Sequence, residues 1–227
     1  MMNGSKKSIK NYVLLLRVEG IMKFKYIVVN ILLMSNVHCL IASDANKAKL
    51  LTTKKCDKCT LVGVNVQKAD LNNAVITRSN LQKAQFNKAA LSGADFSESS
   101  CVDTDFSDAD LQNANFTDTT ISGARFNAAK LERANFTNAG GHGVLFVRAN
   151  LTGAIFDGAD LPGIDLTGAN LTNASFKGVT GSIDPMSGEK RPLNLEWLAN
   201  ASGATLCNTT LPNGEVAHPT CKKIMEK

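Results

Sequence analysis

The residue best placed to do chemistry is His142, which lies among three glycines in FTNAGGHGVLF, residues 136–146. Glycine-rich backbone beside an imidazole can hold an anion or form an oxyanion hole. Catalysis of that kind also needs a nucleophile or an acid–base partner, and none accompanies His142. The only other histidines are His38 and His218. Cys56 and Cys59 form a CDKC motif that fits a local disulfide, a redox pair or half of a zinc site. No thioredoxin-like pattern surrounds it, which favours a structural disulfide or free thiols. Seven acids, Asp95, Glu98, Asp103, Asp105, Asp108, Asp110 and Asp118, follow one another with no base between them. They are a candidate interaction band, set against the plainer reading of a solvated surface. No phosphate loop or metal-ligand cluster is legible. The expectation is a non-enzymatic protein with no catalytic residue, no metal and no cofactor.

The elements that carry these residues must be found next. The chain has 227 residues and a formal charge of +5, but the excess is local. Residues 1–43 hold six Lys or Arg and one Glu, whereas 44–227 hold nineteen charges of each sign. No nucleic-acid surface is expected from that balance. Residues 22–45, MKFKYIVVNILLMSNVHCLIASDA, have a basic start, an apolar run and small residues, the form of a secretory signal peptide. Cleavage is expected between Ala42 and Ala45. Met22 resembles a true start, so 1–21 reads as an upstream extension. Asn30, Ser35, Asn36 and His38 interrupt the apolar run, so membrane contact is expected only through an uncleaved leader. Export makes disulfides available.

From residue 59 the chain repeats every five residues. Apolar centres run without a break of frame from Leu61 through Val66, Leu71 and Ile76 to Phe176, 24 in all. A small residue, usually Ala, stands two places before each centre. Neither the 3.6 period of a helix nor the 2 of a strand explains this. A fixed short period belongs to a solenoid, in which stacked coils bury a common axis.

The pattern A-[DN]-[LF]-x-x, as in ADLQNANFTDTTISGARF and ANLTGAIFDGADLPGIDLTGANLTNASF, resembles the pentapeptide-repeat family over residues 59–178. The resemblance implies an all-β fold, a right-handed quadrilateral β-helix with one pentapeptide on each of four sides. Centres twenty residues apart should then stack. They sort into Leu71, Leu91, Leu111, Leu131, Leu151 and Leu171 on one side, and Ile76, Phe96, Phe116, Phe136, Phe156 and Phe176 on another. A third side runs Val66, Phe86, Phe106, Phe126, Phe146, Leu166; the least regular runs Leu61, Leu81, Cys101, Ile121, Gly141, Leu161. Six coils give a stack of roughly 24 Å between first and last at the usual strand spacing. Cys207 and Cys221 then lie too far from CDKC to complete a zinc site. Asp70, Asp110, Asn115, Asn135, Asn150 and Asn170, each just before a centre, suit turns by bonding nearby backbone.

Open edges at both ends call for caps. Residues 44–58 read as an N-terminal cap, with a short helix at 43–55 started by Ser43 or Asp44. Residues 59–180 read as about six coils and 181–227 as a C-terminal cap. Within that cap, 191–201 reads as a helix with Pro192 in its first turn and Trp197 facing the coils, and 209–217 as a hairpin around Asn213-Gly214. TLCNTTLPNGEVAHPTC resembles a tail that follows pentapeptide repeats in exported and cyanobacterial members, and on that resemblance Cys207 pairs with Cys221. The resemblance also offers two functions. One is an exported structural or interaction module with an unnamed protein partner, in the periplasm, outside the cell or, in a photosynthetic source, in the thylakoid lumen. The other is a DNA mimic that protects DNA gyrase. A homodimer through a capped end is a further arrangement the fold allows. Gly141 falls at a centre, so the glycine run reads as a missing plug. A local void or bend is expected there, partly refilled by Val144, with His142 pointing outward and Gly141→Leu tolerated or stabilising.

Overall fold

The computed structural model describes residues 43–183, 189–194 and 203–217. The leader, Trp197, His218 and Cys221 lie outside them. Helix α1 occupies 43–53. Residues 43 and 44 are already helical, so neither is the expected N-cap. Instead the Ser43 hydroxyl donates to the Val62 carbonyl (3.3 Å) and Asn46 Nδ2 to the Thr60 carbonyl (3.1 Å). Both acceptors belong to the open lower edge of the first coil. With Leu50 fully buried beneath it, α1 closes part of that edge.

The chain then enters a β-helix-like stack of twenty-residue coils. Parallel bridges link each residue before a centre to its equivalent twenty residues on, from Lys55↔Val75 to Asp160↔Thr180. The coiling thus begins one repeat before the expected boundary, because Cys56 is itself on the five-residue frame and fully buried. The repeat around Leu111 shows why five residues suffice. The Asp110 N–H donates down to Ala89 (3.0 Å), and those of Leu111 (2.7 Å) and Asn113 (2.9 Å) donate up to Lys130 and Glu132. The Ala114 N–H closes a turn onto the Leu111 carbonyl (3.0 Å). One N–H is left, that of Gln112, and the Asp110 side chain accepts it (3.3 Å). Every backbone donor of the repeat therefore has a partner. This is the job of Asp or Asn before the centre, and the Asp70, Asn115, Asn135, Asn150 and Asn170 side chains do the same.

Inside the stack every centre from Leu61 to Phe136 is fully buried except Val66, which is 4% exposed. Two opposite sides supply the phenylalanines. Within each side the rings stack, as for Phe96–Phe116 (4.9 Å) and Phe116–Phe136 (4.8 Å). Between sides they meet edge to face, as for Phe106–Phe116 (5.6 Å, 84°). Both arrangements suit the ring quadrupole, so the column is packed and not merely filled. Leu71, Leu91, Leu111, Leu131, Leu151 and Leu171 close the third side.

After Thr180 the coil is interrupted. Strand β1 (Thr180–Ile183) pairs antiparallel with β2 (Lys190–Pro192). Pro192 thus ends a strand, where the sequence suggested the first turn of a helix; the Leu193 N–H instead continues the pairing onto the Val179 carbonyl (3.0 Å). The coil then resumes, because Thr205 pairs with Asn170 and Thr210 with Ser175. Leu206 and Leu211 follow those residues as buried centres over Leu171 and Phe176. Strands β3 (Thr209–Thr210) and β4 (Val216–Ala217) form the expected hairpin around Asn213-Gly214.

Candidate functional site

The glycine run sits in the fifth coil, and its N–H groups are taken. Gly140 donates to Thr119 (3.0 Å), Gly141 to Asp160 (2.9 Å) and Gly143 to Pro162 (2.9 Å). His142 donates its N–H to Ser122 Oγ (3.3 Å). A run of four occupied donors is not an oxyanion hole. The His142 ring points to solvent, as expected.

Of the expected void or bend, the structure shows the bend, and a side chain has no room at Gly141. A Cβ on Gly141 would lie 2.8 Å from the Ile121 carbonyl carbon and the Ser122 nitrogen, and 2.9 Å from Ile121 Cγ1. The place a centre side chain would take is occupied by the backbone and side chain of Ile121 below. Residues 142 and 143 form the expected bend, in place of the usual hydrogen-bonded turn. The expectation that Gly141→Leu is tolerated is therefore corrected: the space a side chain needs is filled by the neighbouring coil. Gly143 is a different case. It occupies the position two after a centre, where φ is positive in every repeat, +65° here. That position is the third residue of a turn of the type II kind.

Cys56 and Cys59 are joined by a disulfide across the first turn, Cα–Cα 5.5 Å, and both are buried. Cys56 Sγ lies 3.8 Å from the Asn46 carbonyl of α1. The Ser79 hydroxyl accepts from the Cys59 N–H (2.9 Å) and donates to the Cys56 carbonyl (2.8 Å), tying the bridge to the next coil. Ser99 and Thr119 make the equivalent bonds to Ile76 and Phe96, and Thr104 makes one to Leu81 at the next corner, so a buried hydroxyl there has a carbonyl partner where Ala has none. Cys207 is also disulfide-bonded, while its expected partner Cys221 lies outside the described residues. Cys101 is a buried free thiol on the irregular side, and burial pushes its pKa up, out of reach of reaction.

The seven acids do not gather on one side. Asp95, Glu98 and Asp118 lie on the Phe116 side, Asp103 on the irregular side, Asp105 and Asp108 on the Phe106 side, and Asp110 on the Leu111 side. They form a ring about one coil high. Lys83 and Lys88 belong to the coil below, and Arg125, Lys130 and Arg133 to the coil above. Arg125 Nε is 3.9 Å from Asp105 Oδ2. At the lower end Arg78 donates from Nε to Asp57 Oδ1 (2.8 Å), and Thr77 Oγ1 donates to the same oxygen (2.9 Å). These bonds hold the Asp57 carboxyl below its usual range. Asp160 is drawn both ways: burial disfavours its charge, but Lys190 (2.8 Å) and Thr180 hold its pKa down. Among the described residues no group of three His, Cys, Asp or Glu side chains could hold a metal, and no helix is long and apolar enough to cross a membrane.

Residues 51–126 match the family described as a pentapeptide repeat region, and residues 145–180 match pentapeptide repeats in eight copies. This chain belongs to the pentapeptide-repeat family. The pentapeptide repeats of that family make structural or interaction modules in general, and no catalytic family matches. A pentapeptide repeat protein from the cyanobacterium Cyanothece 51142 is 25% identical, covering 62% of this chain and 100% of its own at a TM-score of 0.33. QnrB1, a plasmid-mediated fluoroquinolone resistance protein, is 17% identical over 66% of this chain and 93% of its own, at 0.33. A pentapeptide repeat protein from the Arabidopsis thaliana thylakoid lumen is 21% identical over 62% and 86%, at 0.19. No curated protein matches.

Proposed function

We propose that this pentapeptide-repeat chain is an exported, non-enzymatic module. Its right-handed, four-sided β-helix presents outer side chains to a protein partner in the periplasm, outside the cell or in a thylakoid lumen. The Cys56–Cys59 disulfide carries the proposal. Such a bond persists in an oxidising compartment, and it lies just beyond a leader of secretory form. The outer surface supports a binding role over a catalytic one, since among the described residues the His142 ring has no acid–base partner and the glycine N–H groups beside it are spent on the coil. Fractionation of the source cells, with free thiols alkylated before lysis, tests the reading. The protein should appear in the exported fraction with Cys56 and Cys59 protected from alkylation. Recovery in the cytosol with both cysteines alkylated contradicts it.

The gyrase-protecting alternative is less favoured by the charges. A mimic of DNA needs a continuous acidic surface, whereas the acidic ring here is one coil high and bounded by bases on both sides. It predicts rescue of gyrase supercoiling from quinolone, and no rescue at saturating protein removes it.

A further inference from the structure

The side built on Val66, Phe86, Phe106, Phe126, Phe146 and Leu166 is the only one of the four that carries charge on all six coils. From first coil to last the residues are Lys68, Lys88, the pair Asp105 and Asp108, then Arg125, Arg148 and Asp165. Their signs run plus, plus, minus, plus, plus, minus. Asp108, Ala128 and Arg148 occupy the same place in their turns, with φ of 59°, 55° and 57°, so they form one outward column. Asp108 and Arg148 are two coils apart, about 10 Å at the usual strand spacing, with Ala128 between them. Among the described residues no ion pair joins them within one chain, and the Arg148 stem lies against Gly168 on the far side from Asp108.

We propose that this side docks a second copy of the chain, laid against it antiparallel. A two-fold axis crossing the side at Ala128 keeps the column on itself and reverses its order. Asp108 then meets Arg148 of the second copy, and Arg148 meets Asp108 of the second copy. One coil further out, Lys88 comes opposite the coil of Asp165. Ala128, an exposed and uncharged residue where neighbouring coils carry Asp and Arg, leaves the two backbones room at the axis. Arg125 lies near the axis but is already beside its own Asp105 (3.9 Å). A parallel arrangement in register puts like charges together, so the sign sequence selects the antiparallel pair. The surface is flat, narrow and polar, so association is weak and strongly dependent on salt. This pairing is lateral and distinct from contact between capped ends, and it holds whether or not the module is exported.

Sedimentation of the purified protein at about 20 mM and about 500 mM salt tests it, a range over which the screening length falls from roughly 20 Å to about 4 Å. Dimer at low salt and monomer at high salt are expected. Asp108→Arg and Arg148→Asp should each weaken the dimer by about tenfold or more, the scale of one close charge pair. Mixing the two single variants should restore association as a heterodimer, which no change within one chain can produce. Circular dichroism of each variant confirms that these exposed substitutions leave the fold intact. A monomer at low salt, a dimer that survives high salt, or single variants that fail to restore association on mixing overturns the proposal.

Discussion

Adding one methyl group at Gly141 tests how the coil closes over a missing centre. In Gly141→Ala the new Cβ starts 2.8 Å from Ile121 C and Ser122 N. Ordinary carbon contacts lie at about 3.5–4.0 Å, so the two coils must part by roughly 0.7–1 Å. The parting strains the bonds from the Ile121 N–H to Gly140 (2.8 Å) and from the Gly123 N–H to His142 (2.9 Å). Overpacking of this kind costs about 1–3 kcal/mol. For a chain of this length each kcal/mol lowers the melting temperature by about 2–4 °C. Gly141→Leu should cost more, since three further carbons must be placed beyond a Cβ that already lies 2.9 Å from Ile121 Cγ1. Two neighbours serve as controls in the same thermal melt. Gly140→Ala meets nothing within 4 Å and has ordinary φ, so it should be neutral or stabilising by about 0.4–1 kcal/mol through the unfolded chain. Gly143→Ala is equally roomy but has φ +65°, so it should lose about 1–2 kcal/mol to left-handed strain alone. A Gly141→Ala protein that melts at or above the parent refutes the close approach and restores the idea of a void.

Three other outcomes follow from the packing. Phe116→Ala, stacked at 4.9 and 4.8 Å between Phe96 and Phe136, should lose about 3–5 kcal/mol by denaturant titration. The double variant Cys56→Ala/Cys59→Ala opens only a four-residue loop, so the loss should be about 2 kcal/mol on the chain-entropy account, read as a melting shift without reductant. In Arg78→Ala, the Asp57 carboxyl should titrate at higher pH by NMR, because its main hydrogen-bond donor is gone. The sign is set by the lowered folded value: the Arg78 contribution is present above the ordinary Asp pKa and fades as pH falls through the folded one.

The centres and their twenty-residue columns were legible because one side chain in five must fill a narrow axis, and little besides Leu, Ile, Val and Phe does so. The role of Asp and Asn before the centres was legible too, since a turn leaves one N–H that only a nearby side chain can reach. The left-handed position was missed, although Gly63, Gly93, Gly123 and Gly143 all fall two places after a centre and mark it. Lys, Arg and Asp at the same place hid the signal. The resumed coil at Leu206 and Leu211 was missed because fifteen residues, three whole repeats, intervene: the five-residue frame is kept, but it falls on Gly181, Met186, Arg191, Glu196 and Ala201, and only Ala204-Thr205-Leu206 restores the local pattern. At Gly141 the frame and the bend were read correctly, and the room for a side chain was not. A centre without a side chain suggested space to fill, but the backbone and side chain of Ile121 below occupy it. The acidic residues, contiguous in sequence, turned out to circle the stack, because a stretch of that length passes all four sides.

The intact mass of the protein purified from its own cells tests the central claim of an exported, disulfide-closed module most directly. The account predicts a chain that begins between residues 43 and 46 and weighs two hydrogens less for each disulfide, with Cys56 and Cys59 linked in one proteolytic peptide. A chain that retains the leader and has free thiols at both positions contradicts it.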